Sequence, residues 1–245
     1  TWRGWELHSR RTPCVSWGAR RPGSVIYHDH IRAATLSEQA YQAIRQMIVR
    51  LDLAPGAVIR EDELQATLGI GRTPIREALQ RLVRDQFVTV LPRRGAFVSG
   101  VDVSELSMLY ETRRILEPYA ARIGCERGKP EQWDAMEQTL KRAKRGTPSL
   151  ELIEIDRECH ELIWTAAGNR FLTDTLDMLY AQSDRLWHMY LADVADMREA
   201  VAEHREILDA LRDGDADHCA ELVEAHIASF DAQIKAAVTQ RITHR

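Results

Sequence analysis

A chain of 245 residues has room for one large domain, or a small one joined to a medium one, and its 44% hydrophobic content supports a packed core. No stretch reaches the roughly 18 consecutive apolar residues of a membrane span, and no short apolar core follows the basic N-terminus as in a secretory signal. The net charge of −4 is uneven: residues 1–35 carry six basic and two acidic groups, 36–100 nine and seven, and 101–245 eighteen and twenty-eight. A mildly basic N-terminal part on an acidic body fits a nucleic-acid reader attached to something that does not touch nucleic acid. Cys14, Cys125, Cys159 and Cys219 are widely spaced with no C-x-x-C pair, which argues for reduced thiols in a cytoplasm rather than a disulfide frame.

Residues 1–35 hold three tryptophans and many arginines between Pro-Gly breaks, without a sustained period. They read as a disordered arm or a non-native leader; a basic arm could follow a DNA backbone, and a transit peptide is the weaker alternative. Order is expected from Leu36, with Ser37 as N-cap and Ala40, Ile44, Met47, Ile48 and Leu51 as an apolar stripe. Leu53-Ala54-Pro55-Gly56 ends that helix, and a second, from Glu61 to Leu68, buries Leu64 and Leu68.

Gly69-Ile70-Gly71 then turns the chain into a third helix. Its start is marked by Thr73-Pro74, since proline is tolerated in a first turn where its missing N–H has no partner. Ile75, Leu79, Leu82 and Val83 face inward and leave Arg72, Arg76 and Arg84 on one face. Two arginines in a first turn suit the major groove, where N-terminal helix residues meet base edges and phosphates. A surface helix with solvated arginines explains this segment alone equally well. The residues beyond the helix favour the groove: Phe87–Val90 and Ala96–Ser99 are short β-rich runs around Leu91-Pro92-Arg93-Arg94-Gly95, hence a hairpin. Helix, helix, turn, helix and hairpin within residues 36–100 make a winged helix-turn-helix. Its wing tip offers Arg93, Arg94 and a glycine that lets backbone approach a phosphate.

The run GAVIREDELQATLGIGRTPIREALQRLVRDQFVTVLPRRGAFV resembles the DNA-binding domain of GntR-type bacterial transcription regulators. The resemblance implies that Arg72 and Arg76, with Thr73 between them, meet operator DNA and that Gly95 sits on a minor-groove-facing wing. Gly71 stands where such proteins often carry Ser or Thr, a loss of side-chain cap worth only a few tenths of a kcal/mol.

After a linker at Gly100–Val103, with Ser104 as the next cap, no strand is convincing. Apolar stripes mark six helices: Leu106 to about Cys125, one around Trp133–Leu140, Leu152 to the Gly168-Asn169 break, Phe171 to about Leu191, Met197–Leu211, and Ala216 to about Val238. The fold class is mainly α, a winged helix-turn-helix followed by an all-α antiparallel bundle over residues 104–240. Its methionines and aromatics at helical spacing read as core rather than as a cofactor site.

Four residues do not fit a plain core. Asp156 and His160 are i and i+4 and share a helix face. His204 and His226 lie 10 residues before and 12 after Gly214, nearly level across an antiparallel hairpin. One carboxylate and three imidazoles suit a hard-to-borderline ion such as Zn²⁺, Ni²⁺ or Mn²⁺, although spacing alone is explained as well by four unrelated residues. The other histidines read as ordinary capped or surface side chains.

The segments DRECHELIWTAAGNRFL and AEHREILDALRDGDADHCAELVEAHIASF look like the FCD effector domain of the FadR-like branch of that family. This resemblance, over about residues 104–235, implies Asp156, His160, His204 and His226 as metal ligands. ETRRILEPYAAR resembles the family's R-x-x-L-E helix, which places Arg113 beside the metal as an effector contact. Arg114 lies about 100° around the helix, so only one of the two can point inward. The alternative for Arg113 is a buried ion pair with a glutamate. Asn169 matches an A-x-x-N turn, structural before it is effector-binding.

Together these imply a ligand-responsive transcription regulator: a cytoplasmic homodimer, a repressor, with a divalent transition metal and a small carboxylate metabolite in its helical domain. The competing readings are a metal-dependent hydrolase using the Asp/three-His centre, for which no general base is evident, and a structural DNA-bridging protein, which leaves the ligand set unexplained.

Overall fold

A computed structural model describes residues 34–100, 105–190 and 197–243 of the chain. The expected N-terminal arm, the linker at 101–103 and the cap at Ser104 lie outside the described residues.

The N-terminal unit opens with α1 (Leu36–Val49), β1 (Val58–Ile59), α2 (Glu61–Leu68) and α3 (Arg72–Arg84), followed by β2 (Val88–Leu91) and β3 (Gly95–Val98). The cap of α1 is Thr35 rather than Ser37: its hydroxyl accepts from the Glu38 N–H at 3.2 Å and meets the Ser37 hydroxyl at 3.1 Å. Two neighbouring hydroxyls compete for one role, and the one three residues before the donor reaches it. Ala40, Tyr41, Ile44 and Ile48 of α1 meet Ile75, Ala78, Leu79 and Leu82 of α3 in one core. Full burial of each large aliphatic contributes about 1.5–3 kcal/mol.

Gly69, at φ +66°, ends α2 in the left-handed region, where glycine has no Cβ clash. The helix after it starts one residue before the expected Thr73, with Gly71 as an N-cap that supplies no side-chain bond. The hairpin is present, with Leu91 paired to Gly95 and Val88 to Val98. It gains a third strand that periodicity did not predict, as β1 pairs antiparallel with β3 in the order β1-β3-β2.

Six helices complete the described chain: α4 (Leu106–Arg127), α5 (Pro130–Lys141), α6 (Ser149–Ala166), α7 (Arg170–Tyr190), α8 (Arg198–Asp213) and α9 (Ala216–Thr243). α4 runs through Pro118, which leaves one carbonyl a turn earlier without its helical donor. The α8–α9 hairpin turns on Gly214 at φ +73°, and Asp215 Oδ1 accepts from the His218 N–H at 3.1 Å to cap α9. Their shared core includes Tyr110, Met136, Ile155, Trp164, Leu176, Val223 and Ile234. At Gly124 of α4 an added Cβ would stand 2.9 Å from the Ile163 carbonyl, so α4 and α6 approach to backbone distance. Among the described residues no helix is long and apolar enough to cross a membrane.

Candidate functional site

Two places concentrate chemistry. The first is the outer face of α3 with the wing. Arg72, Thr73, Arg76, Arg93, Arg94 and Gly95 are all exposed. The wing turn is closed by the Arg94 N–H on the Leu91 carbonyl (3.0 Å), with Arg93 at φ +63° and Gly95 at φ +99°. Arg76 Nε donates to Glu61 Oε2 at 2.8 Å across α2 and α3. An exposed pair of this kind is worth about 0–1 kcal/mol, so it exchanges readily for a phosphate or a base edge.

The second is buried inside the bundle. α6 presents Asp156 and His160, α8 presents His204 and α9 presents His226, and one ligand atom from each falls within 4.8 Å of all the others. All four side chains are almost fully buried. The i, i+4 spacing on α6 and the near-level positions about Gly214 are what bring them together.

Each imidazole is held from behind. His204 Nδ1 lies 2.9 Å from the Ala200 carbonyl, one turn back on its own helix. His226 Nδ1 lies 2.6 Å from Glu203 Oε2, and His160 Nδ1 lies 2.7 Å from Glu117 Oε2, off the hydrogen-bonding line. For His160 and His226 an acceptor beside Nδ1 leaves Nε2 to face the cluster, the usual outer support of metal-bound histidine, whereas His204 meets Asp156 Oδ1 through Nδ1 at 3.5 Å. His160 Nε2 and His226 Nε2 then face one another at 3.2 Å, and Asp156 Oδ1 is 3.5 Å from His226 Nε2. The other Asp156 oxygen, Oδ2, accepts from the Tyr180 hydroxyl at 2.5 Å.

Asp156 Oδ1 and His204 Nε2 are buried with no hydrogen-bond partner. Stranded buried acceptors are costly, and a cation at the centre of the cluster would satisfy Asp156 Oδ1. Three imidazole nitrogens and one carboxylate oxygen form a borderline donor set suited to Zn²⁺, Ni²⁺ or Mn²⁺.

The protonation pattern agrees with that fit. Burial opposes charge on Asp156, but the facing imidazoles His160, His204 and His226 outweigh it and hold the carboxyl far below the usual range. Burial, with His226 nearby, pushes His204 down to about 3, so it is neutral. Burial also disfavours charge on His226, yet contacts with Asp156 and Glu203 raise it to about 9. Without a cation, a proton on His226 separates the two opposed Nε2 atoms.

Arg113 points inward, as one of the adjacent pair must, while Arg114 reaches Glu224 at the surface. Its guanidinium does not stand open to a ligand: Nε donates to Glu117 Oε1 at 2.5 Å and Nη1 to Ser183 Oγ at 2.7 Å. The buried pairing with a glutamate is therefore present. Burial would raise Glu117, but Arg113 and His160 hold it at about 2, so the pair is ionised. Asn169 is not brought to the cluster; it is exposed, and its Oδ1 accepts from the Leu172 N–H at 3.3 Å at the start of α7.

Glu117, Glu203 and Tyr180 join the site without a signal of their own in the sequence pattern. Glu203 could have been suspected from its place beside His204. Glu117 and Tyr180 depend on how α4 and α7 align with α6, which no local pattern states.

Comparison with known proteins agrees with this architecture. Residues 36–98 match the family model of gntR-family bacterial regulatory proteins, and residues 108–229 match the FCD domain. An HTH-type transcriptional regulator in an unstable DNA locus of Streptomyces ambofaciens is 31% identical over 198 residues, 78% of this chain and 82% of the relative. The Nta operon transcriptional regulator of Aminobacter aminovorans is 31% identical over 199 residues, 80% of this chain and 93% of the relative. In fold the chain resembles E. coli McbR/YncC, with a TM-score of 0.75 at 22% identity over 82% of this chain and 98% of that one.

Proposed function

The chain belongs to the GntR family of bacterial regulatory proteins and carries an FCD domain, and from that premise we propose that it is a metal-dependent, ligand-responsive repressor acting as a homodimer in the cytoplasm. It is a DNA-binding transcription regulator rather than an enzyme, as its family and relatives are, so the hydrolase reading is set aside. In the dimer, Arg72, Thr73 and Arg76 of two copies enter successive major grooves of a pseudo-palindromic operator, with Arg93, Arg94 and Gly95 on flanking backbone. α4 carries Met108, Ile115 and Tyr119 exposed on one stripe, Ile115 at 67%, which supports a second copy covering it.

The observation that carries the reading is the buried convergence of Asp156, His160, His204 and His226, with Asp156 Oδ1 unpartnered and with Ala200, Glu203, Glu117 and Tyr180 holding the four side chains. Asp156, His160, His204 and His226 would hold the ion, which when bound supplies a Lewis-acidic anchor for a small organic acid. Arg113, fixed by Glu117 and Ser183 beside the cluster, adds positive charge near that anchor. Direct grip of the acid by Arg113 requires the acid to displace Glu117.

A thermal-shift screen of organic and sugar acids, with and without chelator, tests the proposal, because a native-state ligand raises stability by mass action. The expected result is an acid that stabilises only the metal-loaded protein and alters its affinity for DNA. An acid that stabilises equally under chelation would contradict the metal anchor.

A further inference from the structure

Among the described residues, α7 has buried contacts on both the cluster and the DNA-binding unit. On one face, Leu176, Tyr180, Ser183 and Trp187 lie at helical spacing toward the bundle interior, and the Tyr180 hydroxyl holds Asp156 Oδ2 at 2.5 Å. On the next face, Asp177 receives two bonds from Arg45 of α1, at 2.5 and 3.1 Å. Ala181 is buried in the core of the DNA-binding unit. Gln182 Nε2 donates to the Asp85 carbonyl at the end of α3 (2.9 Å), and Arg185 Nη2 donates to the Ser99 carbonyl just after β3 (2.6 Å). A further bridge, Arg50 to Glu154 of α6, is exposed and correspondingly weak.

The junction is not built for maximum hold. Arg185 is almost fully buried, and among the described residues its Nε has no hydrogen-bond partner and its bonded neighbour is a neutral carbonyl rather than a carboxylate. Burial alone depresses it to about 10. A buried cation without a counter-charge offsets part of the packing gain around it. Next to Gln182 and Ser99, a cleft of about 660 Å³ has Arg84, Gln86 and Thr89 on one side and Met108, Leu109 and Met178 on the other. A contact whose buried part is held on α7, with an internal cost and a cleft beside it, can be shifted by a modest free energy.

We propose that Tyr180 is the positioning residue through which α7 reads the state of Asp156 and passes it to the DNA-binding unit by way of Asp177, Gln182 and Arg185. The proposal rests on the reading of the cluster as a metal site. Asp156 has one oxygen in the cluster and the other on Tyr180, so a change in the charge or position of the first is felt at the second. Tyr180 then moves with the helix whose adjacent face carries Arg45, the end of α3 and the exit of the wing.

Hydrogen-exchange mass spectrometry on the full chain, with Zn²⁺ or with chelator, tests it. In the wild type, Zn²⁺ should change exchange rates in residues 36–50 and 84–99 by about fivefold or more, the low end of ordinary coupling free energies. Tyr180→Phe, compared at saturating Zn²⁺ whatever its affinity for the ion, should lose that difference in both segments while keeping it in α6, α8 and α9. General loosening by the substitution would raise exchange with and without Zn²⁺ alike, so the lost difference is the diagnostic. Wild-type protein that binds Zn²⁺ without a change in those segments overturns the proposal, as does a Tyr180→Phe protein that still responds. Failure of the wild type to take up Zn²⁺ would sink the metal reading instead. The coupling is then decided by Asp156→Asn in zinc-free protein, which should alter residues 36–50 in the wild-type background but not in Tyr180→Phe. Equal effects in both backgrounds, or none, overturn it.

Discussion

Replacing Arg113 by Met should destabilise the bundle by about 3–5 kcal/mol, the usual cost of stranding one partner of a buried ion pair. Arg113 and Glu117 are 2% and 1% exposed, so water cannot reach the abandoned carboxylate. Met keeps much of the side-chain length and limits any void. His160 Nδ1, 2.7 Å from Glu117 Oε2, offers partial compensation and places the expectation at about 3 kcal/mol, the lower end of that range. The pH dependence gives the sharper signature. In the wild type Glu117 is held at about 2, against an ordinary 4.5, by Arg113 and His160 in spite of burial. A depressed carboxylate contributes stability that is present above 4.5 and lost as pH falls toward 2. In Arg113→Met burial dominates, Glu117 rises, and the penalty should shrink as pH is lowered from neutrality and the carboxylate takes a proton. Urea unfolding with chelator at neutral and mildly acidic pH, on the wild type, Arg113→Met and Arg113→Met/Glu117→Gln, measures each quantity. The double variant should recover more than half of the loss at neutral pH. A single-variant loss below about 1 kcal/mol, or a pH-independent loss that the double variant does not repair, refutes the buried-pair reasoning.

The DNA-binding face, the cluster and the exposed stripe of α4 each make a separate outcome testable. Arg76→Ala should cost about 1–3 kcal/mol of operator affinity if the side chain leaves Glu61 for a base, and Arg93→Ala or Arg94→Ala should each lower the salt slope of DNA binding by about one. Gel-shift titrations at two salt concentrations read both, and unchanged affinity in Arg72→Ala/Arg76→Ala would count against the α3 face. Because His226 is raised to about 9 in the ion-free fold, metal must displace a proton below that pH. Apparent Ni²⁺ affinity against a competing chelator should therefore rise about tenfold per pH unit from neutrality up to that value, and a flat profile would contradict the assignment. The same raised pKa gives the ion-free protein stability that is present below about 6.5 and lost as pH rises through about 9. If the chain dimerises through α4 as proposed, Ile115→Asp should leave it monomeric by light scattering, and a variant that still dimerises as the wild type does would move the interface elsewhere.

Periodicity and punctuation carried much of the fold. The bounds of α2 and most of the inward face of α3 come from apolar spacing and from the glycines between them, but Val83, grouped with Ile75, Leu79 and Leu82, is exposed at the rim of that face. Spacing put Asp156 and His160 on one helix face and His204 and His226 nearly level about Gly214, but left four unrelated residues as an equal reading; the resemblance to the FCD domain joined them into one ligand set. β1 was not legible: two residues carry no period, and Val58 and Ile59 become a strand only because Phe97 and Ala96 lie beside them. The cap of α1 was misjudged by two residues because Thr35 and Ser37 offer the same hydroxyl chemistry. Helix geometry lets only one of Arg113 and Arg114 face inward and the family resemblance chose Arg113, yet its Glu117 and Ser183 partners required the packed α4–α7 pair. The supporting side chains were the least visible part of the site, since Tyr180 and Glu117 reach the cluster from helices whose relative register is set by the whole core.

The central claim is that Asp156, His160, His204 and His226 hold one metal ion. Elemental analysis of native protein purified without chelator, alongside His204→Ala, tests it most directly. The account predicts close to one transition-metal ion per chain in the wild type, and loss of that ion or of fold stability in His204→Ala. A fully stable wild-type protein that carries no metal and takes none up from solution would contradict it.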